Sequence, residues 1–146
     1  MQVPHDSVVL IADGRKTLFF RNEGDGTFPN LQVERKEIHE NPAHHEQASD
    51  TAGQAMNVIG GHGGTMGEVD FHQLEEDRFA ADTAELLKAR ALGGEFESLI
   101  VVAPPKTLGA LRKHYHKEVE SRLVGEVPKD LVNVPVDEIE RILQDS

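Results

Sequence analysis

The feature that most constrains the fold is an unbroken apolar run from Ser98 to Ala103 (S-L-I-V-V-A), which Pro104 and Pro105 end. The run has the length of a strand and lacks the polar alternation of a half-exposed one. It therefore predicts a strand that is buried on both faces of a sheet. Helical patterns precede and follow it along the chain, and this alternation is typical of an α/β domain.

Three further strands are predicted near the start of the chain, at residues 7–12, 16–21 and 31–39. Asp13-Gly14 separates the first two, and this dipeptide favours a type I′ turn in which both central residues have positive φ. A cluster of turn residues between Asn22 and Asn30 separates the second from the third. We therefore expect an antiparallel meander that joins the buried strand in one mixed sheet.

Apolar residues at helical spacing predict three helices, over residues 70–92, 106–115 and 136–143. Asp70 is placed to cap the first of them, and Gly93-Gly94 is placed to end it. Residues 122–127 fit a strand, and a helix through residues 118–123 is the alternative that the pattern leaves open. The length of 146 residues suits one domain, so the predicted fold class is a single α/β domain with a mixed sheet.

The composition excludes several classes of protein. The chain has no cysteine, so disulfides, thiol nucleophiles and cysteine-based zinc sites are ruled out. No apolar run approaches the roughly 18 residues of a membrane-spanning helix, and the start of the chain lacks a secretory signal pattern. We therefore expect a soluble protein of the cytoplasm. The formal net charge of −11 disfavours nucleic-acid binding by the whole surface, because phosphates would be repelled.

One segment departs from this acidic average. Residues 98–117 contain no Asp or Glu, and their charge of +4 leaves −15 for the rest of the chain. On a helical wheel, Lys106, Lys113 and Lys117 fall within about 40° of one another, opposite the leucines. We predict a basic helix that contacts an RNA backbone or another anion through Lys106, Arg112, Lys113 and Lys117. The alternative is an ordinary solvated helix exterior, where lysines are common.

The fraction of apolar residues falls sharply over residues 40–67, which are rich in glycine. A connection of this length is uncommon inside a compact domain unless it is functional or disordered, so we expect a mobile loop. Its centre, Gly60-Gly61-His62-Gly63-Gly64, lacks the Lys-Ser/Thr pair of a phosphate-binding loop. The loop is interpreted either as an arm that orders on a partner or as a plain insertion.

Residues 103–112, A-P-P-K-T-L-G-A-L-R, resemble the A-P-P-x-x-L-G-x-L-R signature of the bacterial host-attachment protein family, the proteins required for attachment to host cells. Shorter matches follow the same order along nearly the whole chain. They are Ala12-Asp13-Gly14, Arg21-Asn22-Glu23-Gly24, Glu40-Asn41-Pro42, Asp70-Phe71-His72 with Glu76 and Phe79-Ala80, and Lys129-Asp130-Leu131. The name of that family describes a phenotype and specifies no chemistry.

That family is similar in turn to the middle domain of archaeal and eukaryotic peptide-chain release factors and of Pelota-like ribosome-rescue proteins. The resemblance implies a ribonuclease-H-like core and a glycine-rich loop that leads into a long helix. In release factors this loop carries Gly-Gly-Gln, which promotes hydrolysis of peptidyl-tRNA. Here the corresponding place, Ile59 to Gly64, lacks the glutamine and holds His62. This departure favours a binding module over a hydrolase.

Three other interpretations stay open. A hydrolase acting on peptidyl-tRNA or a phosphodiester would use His62 or Asp13. A metal-dependent nuclease would need Asp13 and Asp70, although a turn explains Asp13 better and a helix cap explains Asp70 better. An acidic protein–protein adaptor would affect attachment indirectly. Scattered surface histidines are favoured over a zinc or nickel site, so neither a metal nor a cofactor is predicted. The predicted partners are RNA, the ribosome or a translation-related protein.

Overall fold

In the computed structural model, which describes residues 1–38 and 74–146, five strands form one mixed sheet. They are β1 (Val8–Ala12), β2 (Lys16–Asn22), β3 (Leu31–Ile38), β4 (Leu99–Val102) and β5 (Leu123–Val127). Their order across the sheet is β3-β2-β1-β4-β5. β2 pairs antiparallel with both β1 and β3, whereas β4 pairs parallel with both β1 and β5. The predicted meander and its junction with the buried strand are confirmed.

Four helices lie in the described part of the chain. They are α1 (residues 74–92), α2 (Pro105–Arg112), α3 (Lys117–Glu120) and α4 (Val136–Asp145). The strand that was predicted at residues 122–127 is present as β5, and the short helix α3 precedes it. The alternation of strands and helices confirms the α/β class, while the ribonuclease-H-like assignment stays a prediction.

Helices cover both faces of the sheet and bury its two central strands. α1 and α2 pack on one face, where Phe79, Leu87 and Leu111 join the apolar side chains of the sheet. α4 packs on the other face through Ile139 and Leu143. Every residue of β1 and β4 is buried as a result. The apolar run thus meets a hydrophobic layer on each side, as its lack of polar alternation predicted.

The end of α1 confirms the predicted stop at Gly93-Gly94. The Gly94 N–H donates to the Ala91 carbonyl at 3.0 Å, and the Glu95 N–H donates to the Arg90 carbonyl at 2.9 Å. Gly94 has a φ of +70°. This pair of bonds around a left-handed residue is the Schellman motif, which satisfies carbonyls that the last helical turn leaves without partners.

The turn between β1 and β2 differs from the predicted type I′ turn. The Asp13 N–H bonds to the Lys16 carbonyl at 3.3 Å, so the central residues are Gly14 and Arg15. Gly14 has a φ of +97°, but Asp13 does not have positive φ. A glycine at the first central position fits a type II′ turn. The Asp13 carboxylate accounts for the shift, since its Oδ1 accepts the N–H of Arg15 at 2.9 Å and of Lys16 at 2.8 Å.

The predicted helix over residues 106–115 is too long. α2 ends at Arg112, and the N–H of Lys113 bonds back to the third carbonyl before it instead of the fourth. The chain then passes through His116, whose backbone is extended, and α3 begins at Lys117. Consequently Lys106, Lys113 and Lys117 do not share one face of a single helix, and the predicted basic helix is wrong in that respect.

Several predictions lie outside the described residues. They concern the loop at residues 40–67, the Asp70 cap, and the loop residues Gly60, Gly61, His62, Gly63 and Gly64.

Candidate functional site

The fold separates the acid-free segment, residues 98–117, into two locations. α2 begins after the carboxyl end of β4 and leads back toward the start of β5, because β4 and β5 are parallel. Lys106 therefore lies at the carboxyl edge of the sheet. Lys113 and Lys117 lie at the other end of α2, on its connection to α3. The four predicted binding residues consequently do not form one patch.

Lys106 has a carboxylate neighbour from α1. Its Nζ lies 3.5 Å from Oε2 of Glu76, and its side chain is 76% exposed. An ion pair this exposed contributes little, because water screens it and two long side chains must be held in place. Glu76 therefore holds the Lys106 ammonium only weakly, and this ammonium is able to pair instead with a more strongly charged anion.

Arg112 is tied to the sheet. Its Nε and Nη2 both donate to Oε1 of Glu126 on β5, at 2.9 and 2.7 Å. The Tyr115 hydroxyl donates to the other oxygen of that carboxylate at 3.4 Å. Hydrogen bonding and charge from Glu126 raise the pKa of the Arg112 guanidinium. Arg112 thus holds the end of α2 against β5, and Glu126 competes with any anionic ligand for it.

Lys113 and Lys117 are exposed, and neither forms an ion pair within the described residues. Glu118 follows Lys117 directly, but its carboxylate accepts a hydrogen bond from Nη1 of Arg122 at 2.9 Å and does not pair with Lys117. The α2–α3 connection, defined as residues 113–116 together with Lys117 at the start of α3, is also fixed locally, since His116 Nδ1 accepts the Glu118 N–H at 3.0 Å and caps α3. The positive charge of the acid-free segment that remains unpaired is therefore concentrated on this connection.

Tyr115 lies in the middle of the α2–α3 connection and gives it a spectroscopic reporter. It is the single tyrosine of a chain that has no tryptophan. Burial raises the pKa of its phenol, and the neighbouring Glu126 carboxylate raises it further. Because an unfolded tyrosine ionises near pH 10, the stability gained from this shift is complete below about pH 10 and is lost as the pH rises above it.

We expect the phenolate absorbance of the native protein to appear at a higher pH than that of the urea-unfolded protein. We also expect Tyr115→Phe to lose less stability than wild type when the pH is raised past about 10, because phenylalanine has no proton to release. Urea midpoints on both sides of that pH, measured for the two proteins, check this. Native and unfolded titrations that coincide would contradict it.

Asp13, a candidate for hydrolytic or metal chemistry, serves the β1–β2 turn through the two hydrogen bonds to its Oδ1. Across residues 1–38 and 74–146, no group of three or more His, Asp or Glu side chains is arranged to hold a metal ion. The turn therefore accounts for Asp13 in this structure. His62, the other candidate, is not among the described residues.

A charged network that sequence reasoning missed joins α1 to β2 and β3. Glu34 accepts Nε of Arg21 at 2.7 Å and also accepts Arg90. Arg90 donates to Glu95 at 3.1 Å, and its guanidinium lies 4.8 Å from the centre of the Phe19 ring. Burial alone would raise the pKa of Glu34, but hydrogen bonds and charge from Arg21 and Arg90 outweigh it and lower that pKa. The one sequence signal was that Arg21 begins the R-N-E-G match.

A known protein family matches almost the whole chain. Its sequence model, described as bacterial archaeo-eukaryotic release factor family 12, covers residues 6–143. No curated protein matches the chain. Among the described residues, no helix has the length and apolarity to cross a membrane. The predicted relationship to release factors is confirmed at the level of the family, and the host-attachment assignment stays a prediction.

Proposed function

Because the chain belongs to bacterial archaeo-eukaryotic release factor family 12, we propose that it is a non-catalytic module of translation that docks on ribosome-associated RNA. Contact is made through the α2–α3 connection, with Lys113 and Lys117 facing phosphates of the RNA backbone. The observation that carries the proposal is the pair of exposed, unpaired lysines in a chain of net charge −11.

The electrostatics favour one oriented contact. The acidic remainder of the chain repels phosphates, so RNA approaches only where positive charge is unopposed. Arg112 acts as a positioning residue, since its two hydrogen bonds to Oε1 of Glu126 fix the end of α2 from which Lys113 extends. Lys106 lies at the far end of α2 and is a secondary contact in this proposal.

The proposal includes a ribonuclease-H-like core, which the mixed sheet with helices on both faces supports. It also places the protein in the cytoplasm with the ribosomes. An effect on attachment to host cells would then be indirect, through translation. A hydrolase is not favoured, because the sequence lacks the glutamine of Gly-Gly-Gln and Asp13 already holds its turn.

Co-sedimentation with ribosomes at low and high salt tests the proposal. We expect the wild-type protein to pellet with ribosomes at low salt and to be released at high salt, because phosphate contacts release counterions. Lys113→Glu combined with Lys117→Glu should remain in the supernatant at both. Lys88→Glu combined with Lys129→Glu is the matched control, since it changes the net charge equally at other exposed or partly exposed positions.

Two outcomes would overturn the proposal. One is a Lys113→Glu, Lys117→Glu variant that pellets like the wild type. The other is wild-type binding that survives digestion of the RNA by ribonuclease, which would identify a protein partner and favour an adaptor. Tyr115 fluorescence supplies a second readout, because RNA docked on the α2–α3 connection lies beside this residue.

A further inference from the structure

The carboxyl ends of β1 and β4, the two central parallel strands, lie side by side at a point where the chain departs in opposite directions. After β1 it turns through Gly14 toward β2, and after β4 it enters α2 toward β5. Open α/β sheets characteristically bind ligands outside the carboxyl ends of strands at such a switch point. The main proposed RNA contact, at Lys113 and Lys117, lies at the other end of α2.

α2 begins at the switch point with two backbone donors that have no described acceptor. Its N-cap, Pro104, has no capping side chain, and Pro105 has no N–H. Leu108 returns its N–H to the Pro104 carbonyl at 2.9 Å, which leaves the N–H groups of Lys106 and Thr107. No acidic residue lies in the first turn. The positive end of the helix dipole is therefore uncompensated, an arrangement that favours an anion.

The Thr107 hydroxyl is an independent observation that points to a ligand. Thr107 is only 6% exposed, and its hydroxyl makes no hydrogen bond within the described chain. The buried side-chain atoms that lack a partner among the described residues are Glu75 Oε1 and Arg90 Nη1, so the Thr107 oxygen still reaches solvent and is open to a ligand. Its Oγ1 lies 3.6 Å from the position that a Cβ on Gly14 would take, so it points across the start of α2 toward the β1–β2 turn. The glycine leaves the space beside the hydroxyl open.

We propose that the start of α2 binds a phosphate group. The phosphate oxygens accept the backbone N–H groups of Lys106 and Thr107 and the Thr107 hydroxyl, and the Lys106 ammonium supplies the opposing charge. Two carboxylates stand nearby. Oδ1 of Asp13 is engaged by two N–H groups of its own turn, and Glu76 holds Lys106 at 3.5 Å, so a phosphate has to draw Lys106 away from Glu76.

Titration with inorganic phosphate, followed in amide nuclear magnetic resonance spectra against chloride of equal ionic strength, tests this site. We expect saturable shifts of the Gly14, Lys106 and Thr107 amides. Thr107→Val should weaken phosphate binding about tenfold, because it removes one hydrogen bond to a charged group. Thr83→Val is the matched control, since Thr83 is also 6% exposed but lies within α1. Glu76→Gln should tighten binding by freeing Lys106.

Amides that do not shift, or equal affinities of wild type and Thr107→Val, would overturn the site. A nucleoside monophosphate that binds at the same amides as tightly as phosphate identifies a nucleotide or an RNA end as the source. Binding of inorganic phosphate alone identifies the free ion. Lys113→Glu with Lys117→Glu should leave phosphate affinity unchanged, so failure of this site and failure of RNA docking are distinguishable.

Discussion

Replacing Glu34 with alanine should destabilise the protein by about 2 to 3 kcal/mol, because it leaves a buried arginine without its main counter-charge. Glu34 is the extra residue of a bulge in β3, where Phe20 pairs with Val33 and Phe19 pairs with Arg35. A bulge redirects a side chain that regular pairing would place elsewhere.

Of the two arginines that pair with Glu34, the more strongly affected by this substitution is Arg90, which is only 5% exposed. Its Nη1 is buried and has no hydrogen-bond partner even with Glu34 in place. In the Glu34→Ala variant, the remaining carboxylate among its described partners is Glu95, which is itself 54% exposed. The cation–π contact with Phe19 persists but cannot replace a carboxylate that two arginines share.

Arg90→Met provides the comparison for Glu34→Ala. Methionine fills a similar volume over Phe19 and carries no charge, so we expect Arg90→Met to cost less stability than Glu34→Ala. Combining the two substitutions should recover part of the loss. Urea denaturation of the three variants measures these differences. Glu34→Ala costing no more than Arg90→Met would show that the buried charge does not govern this network.

Asn22→Ala should cost about 3 kcal/mol or more, because several backbone groups around a buried side chain lose their partners. Asn22 is fully buried. Its Oδ1 accepts the N–H groups of Gly24 and Asn30 at 2.9 and 2.8 Å. Its Nδ2 donates to the carbonyls of Val3 at 2.8 Å and Asp25 at 3.3 Å, among others. One amide thus organises the β2–β3 loop against the N-terminal segment.

Two substitutions test this account of Asn22. Asn22→Asp should destabilise at least as much as Asn22→Ala, because a carboxylate would face backbone carbonyls where Nδ2 now donates. Glu23→Ala, at the exposed neighbouring position, should change stability by less than about 0.5 kcal/mol. Thermal or urea unfolding measures all three. An Asn22→Ala protein as stable as Glu23→Ala would refute the assigned role.

The R-N-E-G match illustrates what the sequence could and could not predict. Turn residues between Asn22 and Asn30 predicted a loop, and a loop is present. The reason for this pattern is three-dimensional. Arg21 bonds to Glu34, Asn22 bridges the loop, and a Cβ on Gly24 would clash with the Phe28 carbonyl oxygen. Such contacts depend on residues that the fold brings together, so no local pattern shows them.

The early end of α2 could not be predicted for the same reason. Periodicity supports a helix to Tyr115, but Arg112 and Tyr115 are held by Glu126 from another strand. The cap of α3 is the imidazole of His116, which is not one of the residue types that usually mark a helix start. A strong local pattern was therefore overruled by one long-range carboxylate and one unusual cap.

Charge along the sequence was informative about the candidate site but incomplete. The absence of acids over residues 98–117 led to the prediction of four binding cations, of which Lys113 and Lys117 have no ion-pair partner among the described residues. It did not reveal that Glu76 and Glu126, from outside the segment, approach Lys106 and Arg112. Of the four predicted binding residues, Lys113 and Lys117 are the two without a described carboxylate partner, so the hypothesis of four equivalent contacts narrows to these two lysines.

The salt dependence of RNA affinity tests the central claim most directly. A ribosomal RNA fragment is titrated with the protein at several salt concentrations. For the wild type, we expect the logarithm of the binding constant to fall linearly with the logarithm of the salt concentration. Lys113→Ala combined with Lys117→Ala should flatten that slope by roughly 1.5, as expected for two lost phosphate contacts. Lys88→Ala combined with Lys129→Ala should keep the wild-type slope. Identical slopes for the wild type and the Lys113, Lys117 variant would contradict docking through the α2–α3 connection.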